Sequence, residues 1–287
     1  IVGAARTAAM AGYERIIGFD MGGTSTDVAL YDGAFERAFE TEVAGVRMRA
    51  PMMAINTVAA GGGSILHYDG ARVRVGPDSA GASPGPACYR RGGPLTVTDA
   101  NVMLGRLQPA HFPHLFGPGG DAALDADIVG TQFGILAAQM GQGRHAAAEG
   151  FLRVAISNMA RAIKQVSVQK GQDPARFALA CFGGAGGQHA CLVADELGMS
   201  TVFIHPLAGV LSAYGMGLAD QVVLREQAVE LPFGPEAMPA LHAWANQLAD
   251  AARAELLAQG AAECTIQRRV HLRYAGTEAA LAVPLDD

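Results

Sequence analysis

The apolar positions of this chain fall into short runs separated by glycine-rich turns, and the first pair sets the pattern. Residues 16–19 and 28–31 flank Asp20-Met21-Gly22-Gly23-Thr24-Ser25-Thr26-Asp27, which reads as a β-hairpin whose tip lacks side-chain bulk. Upstream, Ala4, Ala5, Ala8, Ala9 and Met10 favour a short helix within residues 1–12. Downstream, residues 35–43 and 46–49 read as strands closed by Pro51, which predicts an antiparallel meander. An apolar strand then runs into Gly61-Gly62-Gly63 and leaves through Ile65 and Leu66, and Arg72-Val73-Arg74-Val75 alternates as a half-exposed strand. Residues 76–89 hold too many Gly and Pro for regular structure, and an ordered loop of that length is expected to cover a site. Residues 94–99 read as a strand ending at Asp99, placed to cap a helix over 100–107.

Residues 108–130 are loop-like, and Pro113 between His111 and His114 breaks any helical metal face, so neither histidine is given a role. A helix over 128–140 is expected to be interrupted by Gly130 and Gly134. Phe151, Val154, Ala155, Met159, Ile163, Val166 and Val168 recur at helical spacing, predicting a long core helix over 146–170, ended by Gly171 and Pro174. A buried-type strand at 177–182, the turn Gly183-Gly184-Ala185-Gly186-Gly187, a helix at 192–197 and a strand at 201–204 make a βαβ unit. A second long helix over 235–259 precedes strands at 270–274 and 279–283 around Gly276-Thr277. This tail is expected to pack on the core. The boundaries drawn are a core of 1–230 and a C-terminal part of 231–287, with a second lobe beginning after the long helix.

A chain of 287 residues with 50% hydrophobic composition can bury a large core. Its net charge of −6 argues against a nucleic-acid footprint and turns attention to small molecules and proteins as partners. Four cysteines without Cys-x-x-Cys spacing suggest neither a zinc ribbon nor a disulfide framework, which fits a reduced, cytoplasmic setting. No apolar run reaches membrane-spanning length. The start at Ile1 has neither an initiator Met nor a signal pattern, so the chain reads as a piece of a longer one.

Chemistry concentrates in the turns. Gly22 and Gly23 let consecutive N–H groups converge on an anion, and Thr24, Ser25 and Thr26 add hydroxyl donors. Asp20 and Asp27 would repel a phosphate unless a cation lay between them, which implies Mg²⁺ held mostly through waters. The alternative is a Gly-Gly turn that only connects strands. Gly61-Gly62-Gly63 allows close approach of a ligand or of neighbouring backbone, and Asp99 is either a helix cap or a metal or water ligand. Gly183, Gly184, Gly186 and Gly187 precede a helix start that could meet an anion or a nucleotide edge, or could permit tight packing; they form neither a Walker loop nor a dinucleotide fingerprint. His189, beside them, is either a hydrogen-bonded structural group or, with its pKa raised by nearby anions, a useful acid or ligand. His67, Cys88, Asp99 and His189 are of types that could share a metal.

The Asp-x-Gly-Gly-Thr turn between two strands resembles the first phosphate loop of the actin, sugar-kinase and heat-shock-chaperone ATPase superfamily. Residues 18–28, Gly-Phe-Asp-Met-Gly-Gly-Thr-Ser-Thr-Asp-Val, are similar to the core domain of the hydantoinase A/5-oxoprolinase family. The likeness is most literal over residues 75–89, Val-Gly-Pro-Asp-Ser-Ala-Gly-Ala-Ser-Pro-Gly-Pro-Ala-Cys-Tyr, and over Thr96-Val97-Thr98-Asp99-Ala100-Asn101. It extends to residues 205–220 and to Arg-Tyr-Ala-Gly-Thr-Glu at 273–278. Phe-Gly-Gly-Ala-Gly-Gly-Gln-His-Ala-Cys at 182–191 resembles the 5-oxoprolinase branch, since hydantoinase branches tend to have Pro-Leu in place of Gly187-Gln188.

The resemblance implies an α/β fold with actin-like ATPase (ribonuclease H-like) lobes, a mixed sheet and packed helices, its glycine turns lining a nucleotide cleft at one sheet edge. It implies ATP-dependent hydrolysis of a cyclic amide, 5-oxo-L-proline to L-glutamate. Asp20 and Asp99 would hold Mg²⁺ or water, Gly22 to Ser25 and Thr26 the phosphates, Gly183 to Gly187 the adenosine side, with His189 as a further catalytic candidate. The implied partners are an N-terminal domain of the same chain, a hydantoinase B-like domain or subunit and further copies in a homo-oligomer. Rival expectations are an ATP-dependent hydantoinase or carboxylase subunit, and a nucleotide-binding switch without amide chemistry.

Overall fold

The computed structural model describes residues 1–43, 46–277 and 280–285, in two compact units, Ile1–Ala219 and Asp220–Asp287. The first unit contains helices α1 (Val2–Met10), α2 (Val97–Met103), α3 (Ala126–Met140), α4 (Arg144–Val166), α5 (Ala190–Leu197) and α6 (Leu211–Leu218). Its strands are β1 (Arg15–Met21), β2 (Thr26–Asp32), β3 (Arg37–Val43), β4 (Val46–Met53), β5 (Asn56–Val58), β6 (Ser64–Tyr68), β7 (Val73–Ser79), β8 (Ala178–Phe182) and β9 (Val202–Ile204). The second unit holds α7 (Met238–Ala258) and the antiparallel hairpin β10 (Arg269–Leu272) and β11 (Leu281–Pro284), with Arg225 paired to Glu255 on α7.

Five strands form a mixed sheet in the order β5-β2-β1-β8-β9. The expected hairpin is present: β1 and β2 pair antiparallel with Asp20 opposite Asp27 and Met21 opposite Thr26. β8 then pairs parallel to β1, from Ile16 beside Ala178 to Asp20 beside Phe182. This overturns the lobe expected after the long helix. The free edge of β1 needs partners for its N–H and C=O groups, and the chain leaving α4 returns to supply them. β8 is buried at every position, as its unbroken Ala-Leu-Ala-Cys-Phe run requires of a central parallel strand.

Alternation along β1 sends side chains into two cores. Ile17, Phe19 and Met21 meet Val28, Leu179 and Cys181 beneath α2 to α5, where Phe151, Met159 and Ile163 of α4 form the buried stripe. Ile16, on the other face, packs with Ala178, Ala180 and Phe182 against Ala4, Ala5 and Ala8 of α1 and Leu211 of α6. Here α1 and α6 touch backbone to backbone. A Cβ on Gly3 would lie 2.6 Å from the Leu211 carbonyl oxygen, and one on Gly215 would lie 2.6 Å from the Gly3 nitrogen.

Other expectations change in detail. β3 and β4 pair with each other, outside the main sheet, so no meander forms. β4 runs through Pro51, where a register shift between Ala38 and Glu40 frees the partner strand from a donor that proline lacks. β7 extends to Ser79, four residues into the stretch read as irregular. Gly130 and Gly134 do not break α3. Asp125 caps it by accepting from the Asp127 and Ile128 amides, Gly141 ends it at φ +66°, and the Arg144 side chain crosses over the two glycines.

Phe19→Ala is expected to lower unfolding free energy by about 3–5 kcal/mol because it empties a fully buried site between β1 and the helical layer. Ile135→Ala, at a position 60% exposed on α3, should stay within about 0.5 kcal/mol. Urea unfolding of both variants measures the contrast.

Candidate functional site

β1 and β8 run in the same direction and end side by side at Met21 and Phe182, which opens their carboxyl ends at one edge of the sheet. Three glycine segments gather there. The β1–β2 turn is closed by the Gly22 amide donating to the Ser25 carbonyl at 3.1 Å. Beneath it runs Gly61-Gly62-Gly63, whose amides at Gly62 and Gly63 donate to the carbonyls of Gly22 and Gly23 at 3.1 and 2.6 Å. A Cβ on Gly61 would lie 2.6 Å from the Ser25 nitrogen, so this strap has the packing role. The third segment follows β8. The Ala185 amide donates to the Met21 carbonyl at 3.0 Å, and Gly183, at φ +85°, leaves no room for a side chain beside the Asp20 carboxylate.

What remains open is mostly main chain. Space lies above Gly22, Gly23, Gly184 and Gly187; Gly23, Thr24, Gly184 and Gly187 are exposed and Ser25 is half-buried. Thr26 is otherwise engaged: wholly buried, its hydroxyl donates to the Ala60 carbonyl at 2.6 Å and ties the base of the turn to the residue that enters the glycine strap. Gly186 is buried, with the Cys181 sulfur 2.7 Å from where a Cβ would be.

Two carboxylates stand at the base of the turn. As directly opposed residues, Asp20 and Asp27 point to the same face of the sheet, that of α1 and α6. Thr57 donates its hydroxyl to Asp27 at 2.5 Å, and Ser212 of α6 reaches the other Asp20 oxygen at 3.4 Å. Burial holds the Asp20 carboxyl above the usual carboxylate range; the like charge of Asp27 adds to this, against the α-amino group of Ile1 and the Ser212 hydroxyl.

Asp99 belongs to the fold. It is the third residue of α2 rather than its cap: Thr96 is the cap, and the two close a capping box. The Asp99 carboxylate accepts from the amides of Ala87, Cys88 and Thr96 at 3.1, 2.8 and 2.8 Å and from the Thr96 hydroxyl at 2.9 Å. With no exposed surface and its oxygens so engaged, it is unsuited to the metal role expected of it. Burial raises its pKa while the donors from Cys88 and Thr96 oppose.

The neighbours of Asp99 reach two other segments. Thr98 donates both its amide and its hydroxyl to the Gly62 carbonyl, and Asn101 meets His189 at 3.2 Å. His189 is fully buried, and burial, with the nearby Arg106 charge, lowers its pKa to about 4. A neutral, buried imidazole that meets Asn101 matches the hydrogen-bonded structural alternative. The four suggested metal ligands do not converge: His67 lies 3.7 Å from Asp78, Cys88 and Asp99 meet each other with burial pushing the Cys88 thiol up, and His189 meets Asn101. Among the described residues no three His, Cys, Asp or Glu side chains gather to hold a metal.

Sequence reasoning missed Thr57, Thr98, Asn101 and Ser212. Thr98 and Asn101 lie inside the Thr-Val-Thr-Asp-Ala-Asn motif, which pointed to the segment; Thr57 and Ser212 had no signal of their own. A shallow depression of about 370 Å³ at Tyr13, Arg15, Phe177 and Thr201 opens at the opposite end of the sheet, away from these groups. No helix among the described residues is long and apolar enough to cross a membrane.

The sequence model of the hydantoinase/oxoprolinase family matches residues 1–225. The chain belongs to that family. It is 44% identical over 284 residues, 95% of its length, to the 5-oxoprolinase of Dictyostelium discoideum and 45% identical over 282 residues, 93% of its length, to 5-oxoprolinase 1 of Arabidopsis thaliana. The family chain spans 22% of each of these curated relatives. Among solved structures, the ATP-dependent caprolactamase from Pseudomonas jessenii is similar over all of this chain and 42% of its own, with a TM-score of 0.82 at 31% identity.

Two outcomes follow from half-buried Asp20 and buried Asp99. The raised pKa means that folded Asp20 keeps its proton to a higher pH than the unfolded chain does. Its stabilising contribution is therefore complete below pH 3.8 and lost as pH rises through the folded value. Asp20→Asn should match wild type in acid and become the more stable of the two towards neutrality, read from urea unfolding across pH. Asp99→Ala, which leaves four buried donors without their acceptor, should lose roughly 3 kcal/mol or more by the same measurement.

Proposed function

We propose that this sheet edge binds the phosphates of ATP, and that the protein uses ATP to hydrolyse a cyclic amide, opening 5-oxo-L-proline to L-glutamate. The observation that carries the reading is the open Gly22-Gly23 tip standing over the facing pair Asp20 and Asp27. We read the first unit as an actin-like, ribonuclease H-like ATPase lobe. The rest of the protein, together with a hydantoinase B-like component, then supplies the facing wall of the cleft and the amide pocket.

In this reading the amides of Gly23, Thr24 and Ser25 and the hydroxyls of Thr24 and Ser25 donate to the phosphate oxygens, with the turn held in shape by the Gly22–Ser25 bond and the Gly61–Gly63 strap. Gly184 and Gly187 give the adenosine side an approach unobstructed by side chains. Asp20 and Asp27 suit Mg²⁺: both offer carboxylate oxygen, and a site that keeps its waters and shares phosphate oxygens uses one or two carboxylates. Bound there, the ion would offset charge on the transferring phosphoryl group. Ser212 orients Asp20, and Thr57 orients Asp27.

A lactam resists water because its nitrogen is a poor leaving group on an unactivated carbonyl. Transfer of the γ-phosphoryl group to the carbonyl oxygen releases ADP and makes the carbon electrophilic. Water then adds and the ring C–N bond breaks, leaving an acyl phosphate that a second water hydrolyses.

Isothermal titration of the protein with ATP and Mg²⁺ should show binding that Asp20→Ala abolishes, and turnover with 5-oxoproline should release glutamate in proportion to ADP. Binding that survives Asp20→Ala would remove the phosphate-turn assignment. ADP formation without glutamate would leave a nucleotide switch in place of the hydrolase.

A further inference from the structure

A turn with four glycines in five residues has no side chains with which to hold its own shape, so its pose must be imposed by its neighbours. The first half of the 183–187 turn is held by main chain: the Gly183 amide donates to the Ala208 carbonyl and the Ala185 amide to the Met21 carbonyl, each at 3.0 Å. The second half closes on itself through the His189 amide and the Gly186 carbonyl at 3.0 Å. Its outside anchors are side chains of α2 and the turn that follows. Arg106 donates to the Gln188 carbonyl at 3.2 Å from an exposed position, and Asn101 meets the His189 ring at 3.2 Å from within.

The inner anchor is unusual. His189 is 0% and Asn101 1% exposed, yet His189 Nδ1 and Asn101 Oδ1 have no hydrogen-bond partner among the described residues. A buried polar pair left half satisfied is less favourable than an apolar pair of the same size. What the polar pair adds is direction: one hydrogen bond, between neutral groups, from a fixed helix to the entry of α5. Thr98, one helical turn before Asn101, holds Gly62 in the same way, so a single short helix sets the spacing between the strap under the phosphate turn and the second glycine turn.

We propose that Asn101 and His189 are positioning residues which hold the 183–187 turn in the pose that receives the adenosine side of ATP. This rests on the nucleotide reading above. Neither side chain touches the nucleotide; both act through the turn.

The test compares His189→Gln with His189→Asn in the full polypeptide. The Gln carboxamide reaches the place of Nε2 and keeps the bond to Asn101, whereas the Asn carboxamide ends near the place of Nδ1 and loses it. Asn101→Leu adds a variant of similar shape without the bond, expected to be at least as stable as wild type in thermal unfolding. His189→Asn and Asn101→Leu should raise the KM and Kd for ATP about tenfold with kcat within about twofold, the split expected when binding is lost uniformly. His189→Gln should restore affinity to within about threefold. Amide hydrogen exchange at Gly184–Gly187 should quicken in the two unbonded variants and not in His189→Gln.

Unchanged exchange in all three variants overturns the tether. Faster exchange with unaltered ATP affinity overturns its nucleotide role. If wild type itself binds no ATP, the nucleotide reading fails, and exchange alone decides whether the tether stands.

Discussion

The arrangement at the sheet edge depends on one buried carboxylate. Asp99 gathers donors from Ala87, Cys88 and Thr96 around a group with no access to water, and in doing so fixes both the start of α2 and the loop that precedes it. A carboxyl group in such a place is tolerable only when its oxygens are hydrogen-bonded, and the reciprocal cap and the Ala87 and Cys88 amides meet them. With that helix start fixed, Thr98 and Asn101 fall at defined positions and reach the two glycine segments on either side. The engagement of one carboxyl group is thereby converted into the placement of two distant loops, reached from Thr98 over 36 residues and from Asn101 over 88.

The hairpin and the βαβ unit were legible as short apolar runs bounded by glycine turns, and the long helix as a burial period near 3.6 along α4. α2 was misread. Thr96-Val97-Thr98 is β-branched and reads as strand by propensity, whereas the Thr96-x-x-Asp99 spacing is a helix start, and here the cap outweighed propensity. The parallel union of β1 and β8 could not be read from either strand, since neighbouring strands are chosen by the whole sheet. For the same reason Asn101 gave no local sign of its contact with His189. The sequence left His189 open between a structural group and an acid because burial, which a single sequence does not show, decides the charge of an imidazole that sits among glycines.

The two faces of the sheet are built differently. Beneath Phe19 and Met21 lies a thick layer of helices with large apolar side chains; beneath Ile16 lies a thin one, where alanines and glycines bring α1 and α6 close. Asp20 and Asp27 open onto the thin face, where α6 contributes Ser212. Half-burial is enough to raise the Asp20 pKa, and the open rim of the sheet leaves that carboxylate within reach of solvent.

The tips of the two open turns carry almost no side chains, and this limits what they can distinguish. Main-chain N–H groups respond to charge and curvature and are blind to the identity of whatever lies beyond a phosphate. An edge of this kind is a common socket. In the function proposed above, selection among ring sizes and substituents falls to surfaces furnished with side chains, and those can diverge without disturbing a single hydrogen bond of the glycine framework.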